Sequence, residues 1–258
     1  MSPRRRANAL VGALSERVAL DRNRRSEKVS TTVAREMVED VRGLPVGSHL
    51  PPEAELAERY GVARSTIRES LRILELQGLL TIRVGPGGGP TIAAIGGRDF
   101  ARMTSLHYHL ADGSYRDIVE ARIALEPVIT RLAALRQDRE YLEPLEEFLS
   151  DDPDAEQSPG YLDRATGFHS LLLSMSGNPV LDLMGQSLQD VYLDRLEGSI
   201  FPAGGRTQVD HHHREIARAV IDGEAELAER LMSNHLALFP RLIDETNPGM
   251  LEERVRWL

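Results

Sequence analysis

One stretch constrains the fold of this chain more than any other. Residues 62–84 begin Val-Ala-Arg-Ser-Thr-Ile-Arg-Glu-Ser-Leu and close on Leu-Gln-Gly-Leu-Leu-Thr-Ile-Arg-Val. Ile67, Leu71 and Leu74 fall at i, i+4 and i+7, the spacing of one buried stripe on a helix. Arg64, Ser65, Arg68 and Arg72 are left on the other side, weighted toward the helix start. A second helix, from about Glu53 to Arg59, precedes it across a short turn at Tyr60-Gly61-Val62. Two short helices with a Gly in the joint, the second opening on basic residues, have the arrangement of a helix-turn-helix. The second helix of that motif enters the DNA major groove and reaches base edges with its N-terminal residues. The spacing therefore predicts DNA binding.

The flanks complete the motif. Val29, Val33, Met37 and Val41 recur at i, i+4, i+8 and i+12, which predicts a helix from about Ser26 to Arg42, ended by Gly43 and followed by Pro45. After the second helix of the motif, Gly78 supplies a stop, and Leu80, Ile82 and Val84 alternate with Thr81 and Arg83 as a half-buried strand does. The run from Gly85 to Pro90 is a turn, and Thr91-Ile92-Ala93 a returning strand. Three helices and a hairpin make a winged helix. The glycine cluster is a wing tip and not a phosphate cradle, because its two prolines remove amide donors and no helix follows to aim at a phosphate.

From about Asp99 onward no strand pattern is found. Apolar stripes broken at Asp112-Gly113, Asp152-Pro153, Gly177-Asn178-Pro179, Pro202–Gly205 and Asp222-Gly223 predict six or seven helices of about 12–20 residues, without an internal repeat. The expected fold is mainly α, a winged helix-turn-helix with a small β-hairpin wing followed by an all-α bundle. The expected organisation is a basic arm over 1–25, a DNA-binding domain over 26–95 and a helical domain over 96–258. The arm, with Arg4-Arg5-Arg6 and Arg22, Arg24 and Arg25, reads as a frayed, solvated tail, with phosphate contact as the alternative.

The formal net charge of −9 argues against a nucleic-acid partner only when taken whole. Residues 1–95 hold 15 Lys+Arg against 11 Asp+Glu, a net of +4, and residues 96–258 hold the remaining 16 against 29, a net of −13. The basic footprint lies in the same part of the chain as the helix-turn-helix. No apolar run is long enough to span a bilayer, and the Arg-rich start lacks a signal peptide's apolar core. The absence of cysteine excludes disulfides and thiolate metal sites and fits a reducing cytoplasm, the expected location.

The segment Leu50-Pro51-Pro52-Glu53-Ala54-Glu55-Leu56-Ala57, with Arg64 to Leu71 and Gly78-Leu79, resembles the winged-helix signature of the GntR superfamily of bacterial transcription regulators. The helical part is similar to the FCD ligand-binding domain of its FadR branch. The matching residues are Arg122 to Glu126 with Ala133-Ala134, Phe168-His169, Ser176 to Pro179, His213 to Ile216 and Asn234-His235-Leu236. The resemblance implies that Arg64, Ser65, Thr66 and Arg68 contact operator DNA, with Gly85 at a wing position. Physically, either Arg suits a bidentate pair to guanine, and the hydroxyls suit phosphate or base contacts. In its DNA-binding part the chain departs from the family in three places. Ala54 stands where many relatives carry a DNA-contacting Arg, and Pro52 and Ala63 replace the usual Ser or Thr caps at two helix starts. A lost cap costs about 0.5–2 kcal/mol.

Three histidines share faces with apolar residues and so point into the bundle. His169 sits with Leu162, Ala165, Leu172 and Leu173, His213 with Ile216, Ala217 and Val220, and His235 with Leu231, Met232, Leu238, Phe239 and Leu242. His213 and His235 are nearly equidistant from the turn at Gly223-Glu224, which levels them across an antiparallel pair. Read from the residues alone, these are hydrogen-bonded core histidines or a Zn²⁺ or Ni²⁺ site. The resemblance favours metal, since the three match the ligands of metal-containing FCD domains. Those domains add an Asp one helical turn before the first His, and here that position is Ala165. Arg122 matches a cavity arginine facing an acidic effector, while its spacing equally allows an ion pair with Glu126 at i+4. The implied function is a homodimeric repressor on a palindromic operator, responsive to a small carboxylic acid and not an enzyme. The competing class is a metal-dependent hydrolase using the three histidines, which lacks a recognisable general base or nucleophile motif in the sequence.

Overall fold

The computed structural model describes residues 28–83, 85, 88–94, 96–150, 161–196 and 203–258. The proposed arm over 1–25, the start of the first helix at Ser26, Val84 of the first strand, and the break at Asp152-Pro153 lie outside them. The chain divides between Ile95 and Gly96 into two compact units.

The first unit is built from α1 (Val29–Val41), α2 (Glu53–Tyr60), α3 (Arg64–Leu76) and an antiparallel hairpin of β1 (Leu80–Arg83) and β2 (Gly89–Ile92). The core joins Val33, Met37 and Val41 of α1 to Leu56, Ile67, Leu71, Leu74, Leu80 and Ile92. The stripe predicted on α3 is the buried one. On α1 it is shifted at its first turn: Val29 is 60% exposed, and Ser30 and Ala34 are buried instead. The reason is a cross-helix hydrogen bond. The buried Ser70 hydroxyl lies 2.8 Å from the Ser30 carbonyl oxygen and 2.9 Å from that of Thr66, and donates its one proton between them. Gly61 closes α2 in the left-handed region at φ 64°, which a side chain rarely adopts.

The returning strand begins two residues earlier than the alternation suggested, and it carries a partner the sequence did not reveal. Ile92 donates to the Ser48 carbonyl, Leu50 donates to that of Pro90, and His49 bridges Thr91. The segment before α2 thus pairs with the edge of β2 that faces away from β1, and Pro90, whose nitrogen is on that edge, interrupts no bond of the hairpin.

Seven helices are described in the second unit: α4 (Gly97–Leu110), α5 (Tyr115–Arg136), α6 (Arg139–Ser150), α7 (Tyr161–Ser174), α8 (Pro179–Leu196), α9 (Ala203–Ile221) and α10 (Ala225–Thr246). Among the described residues none is long and apolar enough to cross a membrane. Helix α5 is the hub, packing on α7, α8, α9 and α10. It starts at a capping box between Ser114 and Asp117. Asn178 caps α8, accepting from the amides of Val180 and Leu181, with Pro179 at the first helical position.

Two breaks differ from expectation. Gly204 and Gly205 lie inside α9 rather than ahead of it, and a Cβ on Gly205 would stand 3.1 Å from Leu242 of α10, so the glycine serves a close helix approach. Between α5 and α6 the chain turns at Gln137, left-handed at φ 49°. Its amide donates to the carbonyls of Ala134 and Val220 at 3.0 and 2.9 Å. A side chain here does what glycine does elsewhere.

Neither α2 nor α3 has a side-chain cap at its start, and Pro52 is the cap residue itself rather than the first helical position. Ala63 already has the extended backbone of a cap, at φ −66° and ψ 149°. Ala63→Ser should therefore stabilise α3 by about 0.5–2 kcal/mol. Amide exchange over residues 64–67 should slow by roughly 2- to 30-fold on that account. Unchanged exchange would mean the orphan amides are already satisfied.

Candidate functional site

On the first unit, α3 presents Arg64, Ser65 and Arg68 to solvent, with Thr66 half-buried behind them. Gly85, at the wing, has φ +118°. Ala54, where an Arg was expected, is half-buried on α2. Arg68 is already engaged, by Glu53 of α2. Arg72 pairs with Glu75 at 3.1 Å along its own helix.

In the second unit α7, α9 and α10 bring His169, His213 and His235 together. All three are buried. Nε2 of His235 lies 3.2 Å from Nε2 of His213 and 3.2 Å from Nε2 of His169. His213 stacks on Phe168 with ring centroids 4.3 Å apart. Burial, and the proximity of the other histidines, holds His213 and His235 well below the ordinary imidazole pKa, so both are neutral at neutral pH.

Behind His169 stands a residue that sequence reasoning treated only as a partner for Arg122. Glu126 Oε2 lies 2.7 Å from His169 Nδ1, and its Oε1 accepts from Arg122 Nε at 2.6 Å. Arg122 and Glu126 are 4% and 2% exposed. Burial would raise the Glu126 carboxyl, but Arg122 and His169 outweigh it and hold the pKa at about 2. Burial would lower the Arg122 guanidinium, and Glu126 keeps it raised. Arg122 also lies over the rings of Tyr192 and Phe239, 4.8 and 5.7 Å from their centroids. Helical spacing indicated the Arg122–Glu126 pair. The His169–Glu126 contact spans 43 residues, and no local pattern signals it.

This chain of contacts fixes protons. An ionised carboxylate only accepts, so His169 carries its proton on Nδ1, and a neutral His169 turns a bare Nε2 lone pair toward the other two rings. An N–H on His235 can point at one neighbour only, so a single proton cannot serve both 3.2 Å contacts well. A cation serves all three at once. The donor set fits one: a tetrahedral zinc with Zn–N of about 2.0–2.1 Å has ligand nitrogens about 3.3 Å apart. The carboxylate behind His169 is the outer-shell partner that ligating histidines commonly have. Against the fit, His235 Nδ1 is buried with no hydrogen-bond partner among the described residues.

The three histidines and Arg122 line one cavity of about 60 Å³, otherwise mostly apolar, with Leu236, Phe239 and Leu242 in its wall. Ala165 lines it too, so a carboxylate at that position would face the same space.

Comparison with known proteins identifies the two domains. Residues 29–88 match the bacterial regulatory proteins of the gntR family, and residues 117–238 match the FCD domain. The HTH-type transcriptional regulator YcbG of Bacillus subtilis is 30% identical over 193 residues, covering 75% of this chain and 79% of that protein. The chain belongs to the GntR family of bacterial transcription regulators. The HTH-type regulator Rv0494 of Mycobacterium tuberculosis is 37% identical over 131 residues, a match spanning 48% of this chain and about half of the relative, 50%. A solved structure described as Streptococcus agalactiae GntR superposes with a TM-score of 0.64 at 28% identity, covering 83% of this chain and 99% of that one. The protein is thus a DNA-binding transcription regulator of winged-helix and FCD architecture, and FCD domains typically bind effectors.

Glu126 also bears on the hydrolase alternative. A carboxylate does stand beside the histidines, but with its pKa at about 2 and both oxygens engaged it is a poor general base. It balances the charge of Arg122 and accepts from His169. Glu126→Ala would strand the Arg122 charge in the core and should cost about 3–5 kcal/mol of folding stability. The double variant Arg122→Met/Glu126→Leu should cost much less, because no charge is left unpaired. Chemical denaturation of the three proteins checks this, and equal losses in single and double variants would contradict it.

Proposed function

We propose that this GntR-family regulator is a cytoplasmic homodimeric repressor of the FadR branch. In this reading it binds a palindromic operator through α3 and is controlled by a small carboxylic acid held in the histidine-lined cavity. The domains run as the sequence divides them, with DNA binding over 26–95, effector binding over 96–258 and the basic arm before them. Arg64, Ser65, Thr66 and Arg68, with Gly85 at the wing, make the DNA contacts. Dimerisation is argued from the small contact one helix-turn-helix makes and from the match between protein two-fold symmetry and palindromic sites.

The observation that carries the effector reading is the convergence of three imidazole nitrogens on the wall of a largely apolar cavity. His169, His213 and His235 would hold a zinc or nickel ion, which supplies a positive anchor for a carboxylate. Arg122 lines the same cavity and, with its charge balanced by Glu126, would serve a carboxylate as a hydrogen-bond donor rather than as a free cation. Glu126 fixes the His169 tautomer. Ala165 leaves one acidic ligand out, so the site is more open and binds metal more weakly than one with Asp. The apolar remainder of the wall selects the effector's body.

The test has two parts. Selection from random DNA should return an inverted repeat, and Arg64→Ala should lower its preference over scrambled DNA by about tenfold, given the usual worth of a bidentate base contact. Zinc or nickel titration should raise the melting temperature of wild type and not of His213→Ala, and Ala165→Asp should tighten metal binding. Small carboxylates should then stabilise the metal-loaded protein further. A protein that takes up neither metal shows these histidines to be core residues only, leaving the DNA result unaffected.

A further inference from the structure

Arg68 lies on the face of α3 that the proposed function turns toward DNA, yet its guanidinium is held by Glu53, the first residue of α2. Arg68 Nε lies 3.3 Å from Glu53 Oε1 and Nη2 lies 2.9 Å from Oε2, a side-on pair between two helices. The Arg68 side chain remains 72% exposed. The hydrogen bond from Arg68 is the main reason the Glu53 carboxyl titrates below its ordinary range. So exposed a pair adds little to stability.

A guanidinium carries five N–H groups in one plane. Nε–H and one Nη2–H make a side-on fork, and the second Nη2–H with one Nη1–H makes an end-on fork. Glu53 fills the first. The second points away from the carboxylate and has the spacing of guanine O6 and N7. We infer that Glu53 is a specificity-determining positioning residue: it occupies the side-on fork of Arg68 and thereby aims the end-on fork at a guanine. The inference rests on the reading that α3 faces DNA.

Two consequences separate this role from others. The pair is neutral overall, so Arg68 contributes little to sequence-independent attraction, and holding the side chain in one plane reduces the ordering cost of docking it on a base. Arg72, paired with Glu75 three residues along its own helix, has no such cross-helix brace among the described residues.

Wild type, Glu53→Ala, Glu53→Gln, Arg68→Ala and the Glu53→Ala/Arg68→Ala double variant would each select from randomised duplexes at one stated salt concentration. Binding curves on the wild-type site and its single-base variants would follow. Arg68→Ala should lose preference for guanine at one position per half-site by about tenfold. Glu53→Ala should lose preference at that same position, and at no other, while binding scrambled DNA more tightly because an anion has been removed. Glu53→Gln should fall between, and the double variant should lose no more than Arg68→Ala. Sharper preference in Glu53→Ala would mean that Glu53 withholds Arg68 from DNA, and unchanged preference would make the pair structural. Either result overturns the inference. A wild type without any preferred sequence would remove the underlying DNA-reading assignment as well, and is told apart by appearing before any variant is compared.

Discussion

The helical unit is organised around a charge pair that cannot be taken apart cheaply. Arg122 and Glu126 sit one turn apart on α5, the helix on which four others pack, and both are buried. Two ions in such a place need every lone pair and proton accounted for. The aromatic faces of Tyr192 and Phe239 cover the cation, and His169 takes the second carboxylate oxygen. That last contact ties α7 to α5 and turns Nε2 of His169 toward His235 and, beyond it, His213. The histidine cluster is thus the outer end of a network whose root is the buried pair, and its chemistry follows from where that pair puts the protons.

Much of this was legible in the sequence because it is local. The stripe Ile67, Leu71, Leu74 gives α3 its buried face, and the inward faces of three helices announce three buried histidines. Levelling two helices about Gly223 correctly placed His213 against His235. What remained hidden needed tertiary contact. Gln137 turns the chain between α5 and α6 although nothing in its type marks a turn, because the carbonyls it satisfies belong partly to Val220, far along the chain. Val29 leaves the core because Ser30 is bonded to α3. Glu126 looked like half of an i, i+4 pair and serves also as the acceptor for a histidine 43 residues away. On the DNA-facing side, Arg68 was legible as a basic residue on a helix face. Its companion on another helix was not.

The two parts of the chain also differ in charge, +4 against −13, and the difference has physical weight. The positive balance of the first part lies in residues 1–27, with 7 Lys+Arg against 3 Asp+Glu, whereas residues 28–95 hold 8 of each, so the winged helix itself exerts no net pull on phosphates and the acidic domain adds none. A regulator made this way gains little from indiscriminate attraction to DNA and depends more on well-placed contacts to bases. The engagement of both Arg68 and Arg72 by carboxylates points the same way.

The Ser70 hydroxyl sets a limit on how such a protein can change. It sits fully buried in the second turn of α3, against the first turn of α1, where a polar atom is tolerated only with its partners in place. Sliding α3 along its axis by even one residue's rise would strand that hydroxyl and move Ile67 and Leu71 out of their seats. The helix that offers Arg64 and Arg68 is therefore keyed to its neighbour like a tenon in a mortise, with no inexpensive way to alter its own shape. Any influence on what it touches has to arrive as movement of the whole winged helix.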